Sequence, residues 1–74
     1  MTRELLERKF PVGTRVKLIE GRCKDGDNFG VKNGTLGTVT GINDFGGIDV
    51  QWDGCQSNYD LFFGYDRFSI VYGR

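Results

Sequence analysis

The stretch GTLGTVTGINDFGGIDVQWDG, residues 34–54, decides the fold of this chain, because its glycines have two possible uses. Glycine-rich segments either cradle phosphate groups or bend a β-ribbon. A phosphate-binding loop needs Lys and then Ser or Thr directly after its last glycine. Ile and Asn follow Gly41, and Ile and Asp follow Gly47. We therefore expect these glycines to shape a sheet and not to hold a nucleotide.

The residues on either side of the NDFGG segment, 43–47, have the period of β-strands. Apolar and polar residues alternate through 48–52, which is typical of a strand with one buried face. The preceding segment, 35–42, is rich in Thr, Val and Ile, which favour strands. NDFGG tolerates positive φ, as a tight hairpin turn requires. Within the first strand, Gly37 and Gly41 predict a bulge or a sharp bend.

The rest of the chain predicts a short helix and further strands. The segment TRELLERKF, 2–10, can begin at Thr2 as its N-cap and is stopped by Pro11. Its apolar stripe consists of Leu5, Leu6 and Phe10. The glycine-rich segment 21–34 predicts a long loop. The remaining strands are expected at 14–20, 57–63 and 68–72, with a turn at 64–67.

Together these elements predict an all-β fold, a five-stranded small barrel with a short N-terminal helical segment. The 74 residues suffice for one core, so residues 1–12 are interpreted as a helical extension and 13–74 as the barrel. Trp52, Phe63 and Phe68 lie on the inward phase of their strands, and we expect them in the core.

The charges cancel overall but differ between the two parts of the chain. Residues 1–32 carry eight Lys and Arg against five acidic residues, whereas 33–74 carry two against five. Zero net charge argues against strong sequence-independent binding to nucleic acid. The N-terminus lacks the apolar stretch of a signal peptide, and no segment approaches the roughly 20 apolar residues of a membrane span. We expect a cytoplasmic monomer that does not enter a membrane.

The residue types for catalysis and metal binding are sparse. The chain has no His and two cysteines, Cys23 and Cys55, which cannot supply the four ligands of a zinc site. Reduced thiols are expected, with a disulfide between these cysteines as the alternative. The segment 24–30 holds Asp25, Asp27 and Asn28 but lacks the glutamate and flanking helices of a calcium loop. No base is available to activate Cys23. We predict no cofactor, no metal and no enzymatic activity.

Three motifs carry a resemblance to a known family. They are GTRVKL at 13–18, GTLGTVTGINDFGGIDVQWDG at 34–54 and GYDRF at 64–68. On these motifs the chain resembles the SH3-like small barrels, and in particular a group of bacterial and phage proteins classed as a domain of unknown function. The resemblance implies a binding module and supplies no site residues. A weaker likeness to KOW-type modules lacks the basic residues that those modules carry beside the hairpin.

Aromatic side chains in loops are the main candidates for a functional surface. Large apolar side chains on loop tips often mark interfaces, and SH3-like barrels bind peptides on aromatic surfaces. We therefore predict that an unidentified protein or peptide binds at Phe29, Phe45, Tyr59 and Tyr65. The alternative is a nucleic-acid surface, in which bases stack on aromatic residues and cations meet phosphates. Its candidate cations are Arg15, Lys17, Arg22, Lys24 and Lys32.

Overall fold

The computed structural model describes residues 3–21, 27–28, 30–57 and 59–71. Within these ranges the chain forms one short helix, as predicted, followed by strands. The elements are α1 (Arg3–Lys9), β1 (Arg15–Glu20), β2 (Asp27–Asn28), β3 (Val31–Lys32), β4 (Leu36–Ile42), β5 (Ile48–Trp52) and β6 (Arg67–Ile70). No helix in the described ranges has the length and apolar character needed to cross a membrane.

Four strands form an antiparallel sheet in the order β5-β4-β1-β6. β1 lies in the interior of this sheet and alternates as its sequence predicts, with Val16 and Leu18 fully buried and Lys17 exposed. Val16 is the register partner of Gly37 on β4 and of Ile70 on β6. The N-terminal strand β1 therefore lies between β4 and β6, the last strand of the described chain.

The hairpin between β4 and β5 confirms the interpretation of the opening stretch. Asn43 N donates to Gly47 O at 2.9 Å, and Gly46 adopts a φ of 83° that favours glycine. The register shifts between Val39 and Gly41, which is the predicted bulge. Gly37 has a different role, since a Cβ on it would lie 2.5 Å from a methyl carbon of Val50. The absence of a side chain there lets β5 pack closely.

The predicted all-β fold with a short N-terminal helix is confirmed, whereas the sheet is open in the described residues and does not close into the predicted barrel. Segment 57–63 is not a strand in its described residues, and Leu61 makes a single antiparallel bridge to Ile48. The chain turns directly after this bridge, and Phe62 O accepts hydrogen bonds from Tyr65 N and Asp66 N. A backbone occupied by a turn cannot continue a ladder around the sheet.

The predicted long loop 21–34 contains a short ribbon in its described part. Asp27 and Asn28 of β2 pair with Lys32 and Val31 of β3 in an antiparallel arrangement. Val31 is fully buried, so this ribbon is anchored to the core by its second strand.

The core fills the space between the sheet, α1 and the segment around Tyr59. α1 supplies Leu6, and Phe10 follows it, whereas Leu5 is half exposed, which corrects its place in the predicted buried stripe. Trp52 is buried as predicted, Phe68 packs at the margin, and Phe63 is 42% exposed, which corrects its assignment to the core. The core residues are Leu6, Phe10, Val16, Leu18, Val31, Val39, Ile42, Ile48, Val50, Trp52, Tyr59 and Leu61.

Candidate functional site

Phe45 projects from the tip of the β4–β5 hairpin. Its side chain is 87% exposed, the highest value among the exposed large apolar residues of the described chain. Its backbone is nevertheless held in place, because Phe45 N donates to the side-chain Oδ1 of Asn43 at 2.9 Å. The same oxygen accepts Gly47 N at 2.9 Å. The turn therefore presents an exposed aromatic ring from an ordered backbone.

The amide of Asn43 is itself braced from two sides. Its Nδ2 donates to Asp49 Oδ1 at 3.2 Å and to Asp60 Oδ2 at 3.0 Å. Asp44 in the same turn forms an ion pair with Arg3 of α1. These contacts connect the hairpin tip to β5, to the segment after Tyr59 and to the helix.

Tyr65 projects from a second turn, residues 62–66, and is 72% exposed. Tyr65 N donates to Phe62 O at 3.2 Å, and Gly64 adopts a φ of 90°. Phe62 N donates to the side-chain Oδ2 of Asp66 at 3.1 Å, and Asp66 is buried. A buried carboxylate thus fixes the shape of the turn that carries Tyr65.

The two turns lie against each other through Gly47 and Phe62. A Cβ on Gly47 would lie 2.6 Å from Phe62 Cζ, so the Phe62 ring covers the glycine. Phe45 is two residues from Gly47, and Tyr65 is three residues from Phe62. We call Phe45 and Tyr65 the aromatic tip, since two neighbouring turns present them to solvent.

Of the other two predicted partner-binding residues, the structure describes Tyr59 and places it in the core. Tyr59 is only 4% exposed, which corrects its placement on a surface. Its hydroxyl donates to Asp66, and its carbonyl accepts the indole N–H of Trp52 at 2.9 Å. These bonds satisfy its polar groups inside the core. Phe29 lies outside the described residues.

A second aromatic surface, which the sequence analysis missed, lies beside β6. The rings of Phe10, Phe63 and Phe68 are in mutual contact, with centroids 5.3 to 5.8 Å apart. They line an open depression of about 290 Å³ together with Lys9, Ser69 and Ile70. We call it the β6 depression. The sequence pattern assigns Phe63 and Phe68 to the core and Phe10 to the helical segment, and does not indicate that the three rings meet.

The predicted cations differ in their surroundings. The side chain of Arg15 donates to Asp53 and to Thr38. The hydrogen bond from Arg15 lowers the pKa of the Asp53 carboxyl group. The positive charge of the guanidinium acts in the same direction, whereas desolvation acts against it. The same hydrogen bond raises the pKa of Arg15. Lys17 and Lys32 are exposed. Arg22 and Lys24 lie outside the described residues.

The candidate catalytic and metal-binding residues are only partly described. Asp27 and Asn28 form β2, whereas Asp25 and Cys23 lie outside the described ranges. Cys55 carries a free thiol whose Sγ lies 3.5 Å from Gly30 O. In the part of the chain that the structure describes, no three His, Cys, Asp or Glu residues come together as a possible metal site.

Comparison with known protein families completes this description. The model of a domain of unknown function (DUF4314) matches residues 2–71. The chain belongs to this family. No curated protein and no solved structure gives a significant match.

The family assignment confirms the resemblance to a domain of unknown function. It covers α1 as well as the sheet of this DUF4314 domain, since the match begins at residue 2. The family description carries no activity, so a functional interpretation depends on the surfaces above. Both surfaces are aromatic, and they share the turn 62–66, from which Phe63 enters the β6 depression and Tyr65 points to solvent.

Proposed function

We propose that this DUF4314 domain is a non-enzymatic protein-interaction module that contacts its partner through the aromatic tip. The observation that carries the proposal is the exposure of Phe45 on a hairpin whose backbone is fixed by Asn43. Aromatic side chains dominate binding energies at interfaces because they bury large areas and lose little conformational entropy. A ring already held by its backbone therefore needs little ordering on association.

The bracing of both turns supports this function over a purely structural role for the tip. An aromatic ring that stabilises the fold would be covered by core residues, as Trp52 is. Phe45 and Tyr65 contribute little to burial, whereas the side chains of Asn43 and Asp66 hold their turns in shape. The arrangement fits a pair of contact residues for another molecule.

The finer assignments belong to the same proposal. We place the open sheet in the SH3-like group on the three sequence motifs, with the peptide-binding role that this group commonly has. The domain would act as a cytoplasmic monomer of bacterial or phage origin. The absence of His in the whole sequence supports a function without acid–base chemistry near neutral pH.

The nucleic-acid alternative has weaker support. Binding to phosphates draws on cations that are free to replace counterions. Arg15 is already engaged by Asp53. The register partners of Lys17 on the two neighbouring strands are Leu36 and Ser69, which carry no positive charge. The two turns that carry the aromatic tip, 43–47 and 62–66, contain Asp44 and Asp66 and no Lys or Arg.

Affinity capture with matched variants tests the proposal. The tagged domain, Phe45→Ala, Tyr65→Ala and Val12→Ala are each incubated with an extract of the source cells, with and without nuclease. Val12 is the control because its exposure, 74%, is close to that of Tyr65 and it belongs to neither turn. We expect proteins that wild type and Val12→Ala retain and that both aromatic variants lose.

Two outcomes would overturn the proposal. Retention of every captured protein by Phe45→Ala and Tyr65→Ala would show that the aromatic tip is not the contact surface. Loss of all captured proteins after nuclease treatment would show that nucleic acid mediates the capture. Circular dichroism of each variant confirms that the fold is intact before the comparison.

A further inference from the structure

β6 forms one edge of the sheet, and its outward backbone groups can be identified. Val71 N donates to Arg15 O at 2.9 Å, which makes this a hydrogen-bonded pair of the antiparallel ladder. Such pairs alternate along a ladder, so Ser69 also bonds to β1, opposite Lys17. The N–H and C=O groups of Phe68 and Ile70 therefore point away from β1, toward the edge on which the described ranges place no further strand.

The β6 depression follows this edge. Its lining includes three consecutive strand residues, Phe68, Ser69 and Ile70. Successive side chains of a strand point to opposite faces, so a depression under one face would touch only alternate residues. A depression that touches all three runs along the side of the strand. Outward backbone groups and apolar side chains thus meet in one groove.

The charge of the groove indicates what kind of segment it accepts. Lys9 is the one charged residue among its described lining residues, and it is exposed. Arg67, at the start of β6, is paired with Glu20 at 3.3 Å, so the positive charge of the groove comes from Lys9. The aromatic floor of Phe10, Phe63 and Phe68 matches an apolar side chain. The groove is therefore complementary to an extended segment that carries apolar and acidic residues.

We propose that β6 binds an extended peptide as an added antiparallel strand, the orientation of every other pair in this sheet, with an apolar side chain in the β6 depression and a carboxylate near Lys9. Main-chain hydrogen bonds to Phe68 and Ile70 supply affinity, and the depression supplies side-chain specificity. This site uses different residues from the aromatic tip, so it goes beyond the function proposed above and can fail without it.

The test uses the intact domain and synthetic peptides of defined chemistry. The probe is acetyl-EVTFTVE-amide, compared with the same peptide carrying Gln or Lys in place of both Glu residues. Two further versions of the Glu peptide carry N-methyl groups on alternate backbone amides. One phase is methylated on the odd-numbered residues and the other on the even-numbered residues. Binding is followed by the backbone amide signals of ¹⁵N-labelled protein during titration to about 1 mM peptide, the concentration range of weak specific binding.

We expect the Glu peptide to shift the amide signals of Phe68 and Ile70 and to bind more tightly than the Lys peptide. Lys9→Glu should weaken the Glu peptide about fivefold, the upper range for an exposed ion pair. One N-methyl phase should retain binding and the other should lose about tenfold, because only one phase faces β6. Ile70→Pro removes an outward N–H without breaking the ladder to β1 and should also weaken binding.

Several results would overturn the inference. Equal binding of both N-methylated peptides would exclude strand addition, even if Ile70→Pro fails to fold. Equal binding of the Glu, Gln and Lys peptides would exclude the acidic partner. Absence of shifts at Phe68 and Ile70 would exclude the site. A dimer in sedimentation that Ile70→Pro dissociates would assign the edge to a second copy of the chain.

Discussion

The guanidinium of Arg15 and the carboxylate of Asp53 face each other in a two-pronged contact, with Nη1–Oδ1 at 3.0 Å and Nη2–Oδ2 at 2.6 Å. Nη1 also donates to Thr38 Oγ1 at 2.8 Å. Arg15 begins β1, Thr38 lies on the neighbouring β4, and Asp53 directly follows β5. The Arg15 side chain therefore connects β1 to the neighbouring strand β4 and to the residue that follows β5, across the outer face of the sheet.

Removing the charge of Asp53 should make the thermal stability of the domain less dependent on pH in the acid range. Because the hydrogen bond from Arg15 lowers the folded-state pKa of Asp53, its contribution is present above the unfolded pKa, about 3.9, and is lost as pH falls through the folded value. Thermal melts of wild type and Asp53→Asn should differ at pH 7 and converge at low pH. A constant difference across this range would contradict the assignment.

Substitution by alanine should lower the stability of the domain at Gly37 and leave it nearly unchanged at Gly41. In Gly37→Ala the new Cβ would meet Val50 Cγ1 at 2.5 Å and Trp52 Cε3 at 2.8 Å, so we expect a loss of about 1–3 kcal/mol from overpacking. In Gly41→Ala the new Cβ would have Asp49 Oδ2 at 3.9 Å as its nearest contact, and the change should stay within about 0.5 kcal/mol.

Urea unfolding midpoints of the two alanine variants measure this contrast, and each variant is the control for the other. A Gly37→Ala protein as stable as Gly41→Ala would show that β5 does not depend on the close approach at Gly37.

Truncation of the Trp52 side chain should strongly lower the free energy of unfolding. Trp52→Ala removes a fully buried indole and should cost about 3–5 kcal/mol, which approaches the whole stability of a small domain. Trp52→Phe keeps most of the apolar burial but loses the donor to Tyr59 O. We expect it to remain folded and to be less stable than wild type in urea. A Trp52→Ala protein that melts within a few degrees of wild type would contradict this role.

The hairpin was predictable from sequence because its determinants are local. Alternation through 48–52 sets the strand, and NDFGG sets the turn, so both can be identified without knowing any distant contact. The charge balance and the absence of His likewise limited the possible chemistry before the structure was available.

The segment after Tyr59 was not predictable in the same way. Alternation places Tyr59, Leu61 and Phe63 on one face and predicts that the strand continues, whereas the structure buries Tyr59 and Leu61 and leaves Phe63 exposed. The turn that interrupts it depends on Asp66, which accepts hydrogen bonds from Phe62 N and from the Tyr59 hydroxyl. These contacts form only in the folded chain. The β6 depression escaped prediction for the same reason, since Phe10 and Phe68 are far apart in sequence.

Tyr59 and Tyr65 should therefore respond differently to loss of the hydroxyl group. Tyr59→Phe leaves Asp66 Oδ1 without its donor in a buried site, and we expect a loss of about 1–3 kcal/mol. Tyr65→Phe changes an exposed side chain and should stay within about 0.5 kcal/mol. Urea unfolding of both proteins decides the matter. Equal stability of the two variants would contradict the buried Tyr59–Asp66 contact.

Asn43→Asp should destabilise the hairpin at neutral pH and recover in acid. The substituted carboxylate can still accept Phe45 N and Gly47 N, but it cannot donate to Asp49 and Asp60 as the amide does. Instead it places a third negative charge beside two carboxylates. We expect a loss of about 1–3 kcal/mol at pH 7, measured by urea unfolding.

The acid recovery distinguishes charge repulsion from a lost hydrogen bond. Like charges raise the folded-state pKa of the carboxyl group they surround, so the penalty is present above that value and is relieved as pH falls toward about 4. Asn43→Ala is the matched control, because it removes the donor and the acceptor without adding charge. Its stability deficit relative to wild type should shrink less in acid than that of Asn43→Asp. If Asn43→Asp follows the pH dependence of Asn43→Ala, the amide does not separate Asp49 from Asp60 as the structure indicates, and the brace of the aromatic tip must come from Asn43 Oδ1 alone.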